Sequence, residues 1–353
     1  MKVPFYLAPM AELSHRALRE LIEGFGGCDC YFTEMISAAA LLAGGPFEKW
    51  YIDTAPNPEK CVFQLVGSDI DTLANAAAFL DKIDCGGIDI NMGCSAPLIR
   101  KTGAGAAWMA SIDRAGDLIS RIRPQVKRRL SVKLRTGFKD DFDYLARFCR
   151  RLEQEGVDLI TLHPRLVTEK FKRLAKWEYV AALKKELKIP VAGNGDISDA
   201  AGLLRRADGS CDAVMAGRAA VKQPWIFAQA KEENYLEEIN PETFTNNNQA
   251  RAACASKKLL GEPVSEPLSG SLQRRTPKIV FPLRTLEDIG LQFLDLLAKH
   301  QPLEFHASRA KRFFSYFCQN LKWGTNLFNQ INREDTLLGI KKVWSGYFKE
   351  NEE

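Results

Sequence analysis

Residues 130–165 read LSVKLRTGFKDDFDYLARFCRRLEQEGVDLITLHPR, and this stretch decides the fold class. LSVKLRTG (130–137) and DLITLHPR (158–165) are nearly continuous apolar runs of strand length. FDYLARFCRRLEQEG (142–156), between them, carries apolar residues at a spacing near 3.6. Strand, helix and strand in that order form a parallel unit, whose strands are covered on both faces and so read as apolar throughout. The same rhythm extends both ways. Further runs are VPFYLAPM (3–10), CYFTEMI (30–36), CVFQLVG (61–67), GIDINMG (87–93), IPVAGNGD (189–196) and DAVMAGR (212–218). Helical patterns separate them, as in DTLANAAAFLDKI (71–83), DRAGDLISRIRPQV (113–126) and WEYVAALKKELK (177–188). Eight strand signals over roughly 230 residues predict a (β/α)8 TIM barrel. A doubly wound sheet is the competing arrangement, and the eightfold count favours the barrel.

The chain has 353 residues, 46% hydrophobic and 26% charged, which excludes disordered and fibrous classes. No stretch approaches eighteen uncharged apolar residues, so no membrane span is expected. MKVPFYLAPMAEL turns polar too early for a signal peptide. Nine cysteines without paired spacing predict reduced thiols in a cytoplasmic protein and no metal site. We expect the catalytic barrel over 1–235, a connector rich in Asn, Ser, Pro and Glu over 236–282, and a helical domain over 283–353. There Ala310, Phe313, Phe314, Phe317 and Leu321 make one apolar stripe, and Leu337, Ile340, Trp344 and Tyr347 another.

In a barrel the reacting groups lie at the carboxyl ends of the strands. Strand one ends in Pro9-Met10-Ala11, a turn able to lie beside a flat ring. Strand three carries Gln64, whose amide both donates and accepts. Strand five carries Lys133, whose buried ammonium would be costly without an electron-rich partner. Strand six presents His163. Asn194-Gly195-Asp196 and Gly217-Arg218 end strands seven and eight, where barrels often hold a phosphate. Phosphate and ring together fit flavin mononucleotide (FMN). Cys94 opens the loop after strand four, and a thiol, ordinarily protonated at neutral pH, can deliver a proton there.

Net charge is +5, which allows a polyanionic partner without requiring one. Arg121, Arg123, Lys127, Arg128 and Arg129 are expected on a solvated face at the far side of the barrel. Arg165, Lys170, Lys172, Arg173 and Lys176 sit on a loop beside the mouth, where phosphate contacts would serve an RNA substrate.

LAPMAELSHRALR, TEM, FQLVG, DINMGC, KTGAG, VKLRTG, ITLHPR, NGDI and VMAGRAAVKQPWIF resemble, in order and spacing, the dihydrouridine synthases. The resemblance covers the barrel almost throughout, and the tail is similar to the family's helical RNA-recognition domain. It implies an FMN enzyme that uses NADPH to reduce the carbon 5–carbon 6 double bond of selected uridines in tRNA. Hydride would reach carbon 6, and Cys94 would protonate carbon 5 from the other face. The family's flavin contacts fall on Pro9, Met10, Ala11, Gln64, Lys133, His163, Asn194, Gly195, Asp196, Gly217 and Arg218. Asn91 matches the residue expected to hold the uracil, and Lys101, Arg165, Lys172 and Arg173 are expected to contact the RNA.

Departures fall around the mouth. Ser95 stands where the family usually has proline, His163-Pro164-Arg165 replaces His-Gly-Arg, and Arg173 replaces a loop glycine. These bear on target choice more than on chemistry, and ribosomal RNA stays open as the substrate. Three alternatives remain: an FMN dehydrogenase of the dihydroorotate type acting on a free pyrimidine, an RNA-binding protein without catalysis, and a phosphate-binding barrel without redox chemistry. A monomer suffices to bind one RNA on one face, so no protein partner is expected.

Overall fold

The computed structural model of the chain describes residues 3–169, 173–239 and 286–351. Eight strands pair in parallel in chain order: β1 (Phe5–Leu7), β2 (Cys30–Ser37), β3 (Cys61–Val66), β4 (Gly87–Met92), β5 (Leu130–Gly137), β6 (Leu159–Leu166), β7 (Val191–Asn194) and β8 (Ala213–Ala216). β8 returns to β1, with Met215 opposite Tyr6, and closes the barrel. Each expected run supplies one strand, and closure excludes the doubly wound sheet.

Helices α1 (Arg16–Glu23), α2 (Ala38–Leu42), α3 (Glu48–Tyr51), α4 (Ile70–Leu80), α5 (Pro97–Lys101), α6 (Ile112–Ile122), α7 (Phe142–Gln154), α8 (Trp177–Glu186) and α9 (Ala200–Arg206) lie between the strands. α10 (Arg218–Lys222) and α11 (Ile226–Ile239) follow β8. In α7 the Asp141 carboxylate accepts from the Tyr144 N–H to start the helix, and Leu145, Phe148, Cys149 and Leu152 form its buried face. Gly156, at φ +95°, ends the following turn where an L side chain would be strained.

Side chains alternate across each strand, and the inward set changes character along the barrel axis. Towards the amino end Tyr6, Cys30, Phe32, Val62, Leu159, Ala192 and Ala213 pack as an apolar plug. Towards the carboxyl end the inward positions become polar: Gln64, Asp89 and Asn91, Ser131 and Lys133, Thr161 and His163. A register shift in β2 between Phe32 and Met35 interrupts the alternation there.

Carboxylates stitch the amino end. Asp29, Asp158 and Asp212 each precede a strand and accept from the first N–H of its neighbour, Phe5, Leu130 and Val191 respectively, at 2.8–2.9 Å. Each also meets a cation, Lys231, Arg123 and Lys184 in turn. The basic run expected on a solvated face partly serves this stitching. Arg123 also donates to the Gly156 carbonyl, Arg128 to that of Cys85, and half-buried Arg129 to the Cys30 thiol.

Helices α12 (Leu286–His300), α13 (Leu303–Phe317), α14 (Gly324–Ile331) and α15 (Leu337–Glu350) pack together and onto the barrel through one continuous core. Phe313 stacks on Phe293 at 3.7 Å, and the Trp344 indole N–H donates to the Glu287 carbonyl at 2.9 Å. Ala310, Phe313, Phe314, Phe317, Ile340 and Trp344 are buried, while Leu321, Leu337 and Tyr347 are half-buried. α11 extends to Ile239, four residues into the expected connector, because no glycine or proline interrupts the chain before Pro241. The rest of that connector, 240–282, lies outside the described residues. Among the described residues no helix is long and apolar enough to cross a membrane.

The barrel and the last helices are joined by a buried ion pair. Arg309 of α13 reaches Glu34 of β2 at 3.0 Å, with both side chains under 5% exposed. Glu34 also accepts from the Glu12 N–H at 2.6 Å, and Arg309 donates to Gln301. The Arg309 guanidinium lies over the Phe305 ring at 4.6 Å.

Candidate active site

The carboxyl ends of the strands enclose a cavity of about 480 Å³. Pro9, Met10 and Ala11 line it just beyond β1. Their turn is closed by Ser14, whose hydroxyl accepts from the Met10 N–H at 2.9 Å. Because of the shift in β2, Met35 faces the cavity while Glu34 serves the ion pair to α13.

Beyond β7 and β8 the backbone opens a cradle. Gly195 has φ +131°, and a Cβ there would lie 3.1 Å from both Ala175 Cβ and the His163 ring. At Gly217 a Cβ would lie 3.2 Å from Met10 Sδ. Asn194 donates to the Met215 carbonyl at 2.8 Å, holding the two strand ends together. Arg218 is exposed and lines the cavity. Asp196, also left-handed at φ +53°, points its carboxylate sideways, accepting from Arg165 and from the Ala175 N–H.

Opposite stands a cationic wall of Lys133, Arg135, His163 and Arg165. Arg135 donates to the carbonyls of Gly93 and Leu166, both at 3.1 Å. Arg165 Nη1 lies 3.0 Å from His163 Nε2. A guanidinium only donates, so Nε2 is the acceptor and the imidazole proton sits on Nδ1. Burial, and after it the charges of Lys133, Arg135, Arg165 and Arg218, push this histidine down to about 2, so it is neutral across the physiological range. Lys133 is half-buried and lines the cavity. Burial, then the neighbouring Arg135, push its ammonium down to about 8 against the pull of Asp89.

The third wall carries the thiol. Gln64 accepts from the Asn91 amide at 2.8 Å and donates to Asp89 at 2.7 Å, leaving one amide proton and one lone pair for the cavity. The Asn91 carbonyl oxygen in turn accepts from the N–H groups of Gly93 (3.1 Å) and Cys94 (2.9 Å). Cys94 is half-buried at the cavity edge. The following loop folds back so that the Ala106 N–H donates to the Cys94 carbonyl at 3.0 Å. Gly105, at φ +60°, permits that approach, since a Cβ there would come within 2.8 Å of the same carbonyl.

Thus Pro9, Met10, Ala11, Gln64, Asn91, Cys94, Lys133, His163, Arg165, Asn194, Gly195, Asp196, Gly217 and Arg218 converge on one cavity. Arg165 lies with its side chain inside the wall, 3% exposed, rather than on the loop surface. Lys101 ends α5 on the outside, exposed and away from the lining. Arg173 is exposed, paired with Glu169 at 3.6 Å. Lys172 lies outside the described residues. Sequence reasoning missed Arg135, Met35, Met215, Arg312 and Tyr316, all of which line the cavity. Arg135 had a signal, since it follows Lys133 by two positions on one strand and so shares its face. Arg312 and Tyr316 come from α13, which reading the tail only for its apolar stripes could not place.

A probable tRNA-dihydrouridine synthase of Aquifex aeolicus is 32% identical over 237 residues, covering 65% of this chain and 73% of that protein. One of Rhodobacter capsulatus is 34% identical over 230 residues, covering 64% and 70%. A Xenopus tropicalis protein, named as tRNA-dihydrouridine(47) synthase-like with NAD(P)(+), is 30% identical over 241 residues. That match takes in 68% of this chain but only 38% of the longer Xenopus protein. The family model described as dihydrouridine synthase matches residues 6–266. With well over half of its length inside that match, the chain belongs to the dihydrouridine synthase family.

Proposed function

We propose that this protein reduces uridine in tRNA to 5,6-dihydrouridine, with FMN as its resident cofactor and NADPH as the source of electrons. The observation that carries this reading is a thiol, Cys94, at the edge of the same cavity that holds a cationic wall and a two-glycine cradle. Its residues fit the flavin. Lys133, depressed by burial, favours an electron-rich ring edge that restores its charge. The cradle at Gly195 and Gly217 leaves room for a phosphate beside Arg218, whose guanidinium can fork onto the oxygens. When bound, FMN supplies the hydride that becomes the new hydrogen on carbon 6, and NADPH restores its reduced form.

This chain's own groups do the rest. Cys94 holds a proton on Sγ for carbon 5 and regains one from water, so each turnover consumes one NADPH and one proton. Neutral His163, fixed by Arg165, offers a hydrogen bond from Nδ1 without adding charge. The uracil must leave its RNA stack to enter a cavity this deep. Arg312 and Tyr316 of α13 stand at the mouth it passes. We assign residues 1–235 to catalysis and 283–353 to RNA recognition, with Arg173 and Lys172 on the loop that meets phosphates. The relatives named as tRNA-dihydrouridine synthases support the substrate, and the Xenopus name supports NAD(P).

Nucleoside mass spectrometry on tRNA and ribosomal RNA, taken separately from cells with and without the gene, tests this. Dihydrouridine should disappear from one or more tRNA positions. Loss confined to ribosomal RNA overturns the substrate, and no loss in either pool, with no second such enzyme present, overturns the reaction.

A further inference from the structure

Asp89 is fully buried inside the barrel and takes no part in the chemistry above. It lies at the centre of β4, in register with Gln64 on one side and Ser131 on the other. We propose that Asp89 is a positioning residue for Cys94: its carboxylate sets the direction of a hydrogen-bond relay, through the Gln64 and Asn91 amides, that fixes the backbone on which Cys94 stands. This rests on the reading of Cys94 as the proton donor.

The relay runs one way. Ser131 Oγ donates to Asp89 Oδ1 at 2.6 Å, and Gln64 Nε2 donates to Oδ2 at 2.7 Å. Gln64 Oε1 accepts from Asn91 Nδ2 at 2.8 Å, and Asn91 Oδ1 accepts from the N–H of Cys94 at 2.9 Å. Burial pushes the Asp89 carboxyl up to about 6 against the hydrogen bonds of Ser131 and Gln64, so above that pH it is ionised and cannot donate, and a backbone N–H cannot accept. With both ends fixed, only one orientation of each amide satisfies the chain. Flipping either one sets donor against donor or acceptor against acceptor in a buried site, where such mismatches are costly. β4 supplies two members of the relay because residues 89 and 91 share its inward face, and Gln64 of β3 bridges them. Cys94 is therefore held from below by this chain and from above by the Ala106 N–H.

Reversing the relay tests the idea. In Asp89→Asn the group at position 89 donates as well as accepts, so Gln64 no longer has to present Nε2 to it. Gln64→Glu alone sets two carboxylates face to face. Asp89→Asn with Gln64→Glu moves the acceptor-only group one strand along and again leaves Asn91 a single orientation. Each single variant should lower kcat per bound flavin by about 10- to 100-fold with KM for tRNA little changed, as expected for a misplaced reacting group. Because Gln64 also faces the flavin, the double variant is read on Cys94 itself in flavin-free protein rather than on kcat.

An independent readout is alkylation of Cys94 by iodoacetamide in flavin-free protein, followed on the Cys94 peptide by mass spectrometry. Each single variant should change the rate several-fold, and the double should return it towards the wild-type value. Wild-type kcat and alkylation in Asp89→Asn, or a double whose Cys94 alkylation rate is no nearer the wild-type value than the singles', overturns the proposal. If Asp89→Asn does not fold, the double decides: a folded protein with a wild-type rate of Cys94 alkylation supports the relay, and failure to fold alongside the single sinks it. Full activity of Cys94→Ala would refute the donor reading instead, while the alkylation pattern still reports on the relay.

Discussion

At the amino end of the barrel, Asp29, Asp158 and Asp212 each tie a strand start to its neighbour and hold a cation as well. At the carboxyl end, Lys133, Arg135, Arg165 and Arg218 gather around one cavity, where the described lining residues include a single carboxylate, Asp196. The same residue types serve opposite ends. Matched charges hold strand ends in register, as expected where a barrel face carries stability. Burial first, and the massed positive charge after it, drive His163 down to about 2 and Lys133 down to about 8, an environment completed by an anion.

The sharpest test of this contrast lies at Cys94. Cys94→Ala should lower uridine reduction by about 10²- to 10⁴-fold, the usual contribution of a positioned proton donor. The flavin spectrum should be unchanged, and full activity would remove the carboxyl end's claim to the chemistry. Arg309→Met breaks a matched pair on the carboxyl side and should cost about 3–5 kcal/mol in denaturant unfolding, because it strands the Glu34 charge in the interior. Adding Glu34→Gln should return part of that loss, and a cost below about 1 kcal/mol would refute the buried-pair assignment.

Smaller effects should separate the two ends further. Arg218→Ala should weaken flavin retention about tenfold, the loss of one charge-assisted contact. An unchanged dissociation constant would move the phosphate elsewhere. Lys133 supplies a pH test, with Arg135, Asp89, Cys94 and His163 as its neighbours. Its folded value lies below that of a free lysine, so the flavin-free protein gains stability as pH rises towards the free-lysine range and loses it as pH falls through about 8. Flavin retention needs the charged form, so it should run the other way and weaken above about pH 8. Lys133→Met should abolish that limb in a flavin titration. The smallest effect belongs to the amino end: Asp158→Asn should cost about 1 kcal/mol in a thermal melt and leave flavin binding untouched.

The amino-acid pattern carried the barrel because buried parallel strands are written locally, each as one apolar run. It carried the cavity lining because strand ends lie where the runs stop. It did not carry the polar alternation inside those runs. Asp89, Ser131 and Arg135 were legible as every-second-residue partners of Asn91 and Lys133, yet the surrounding valines, isoleucines and leucines masked them. Glu34 and Arg309 could not be paired from sequence, because they lie far apart and the irregularity in β2 that re-aims this stretch has no local signature. Arg165 read as part of a basic loop, whereas its burial depends on Asp196 arriving from just beyond β7, with His163 two positions earlier on its own strand.

The Glu34–Arg309 pair has a bearing on how such chains diverge. Neither partner can be lost first without leaving the other stranded in a dry interior, so the two positions drift together or not at all. A chimera that takes its last helices from a relative lacking the arginine would inherit half of a lock. Exchange of these helices between relatives is therefore limited by one pair of side chains, however well the apolar surfaces match.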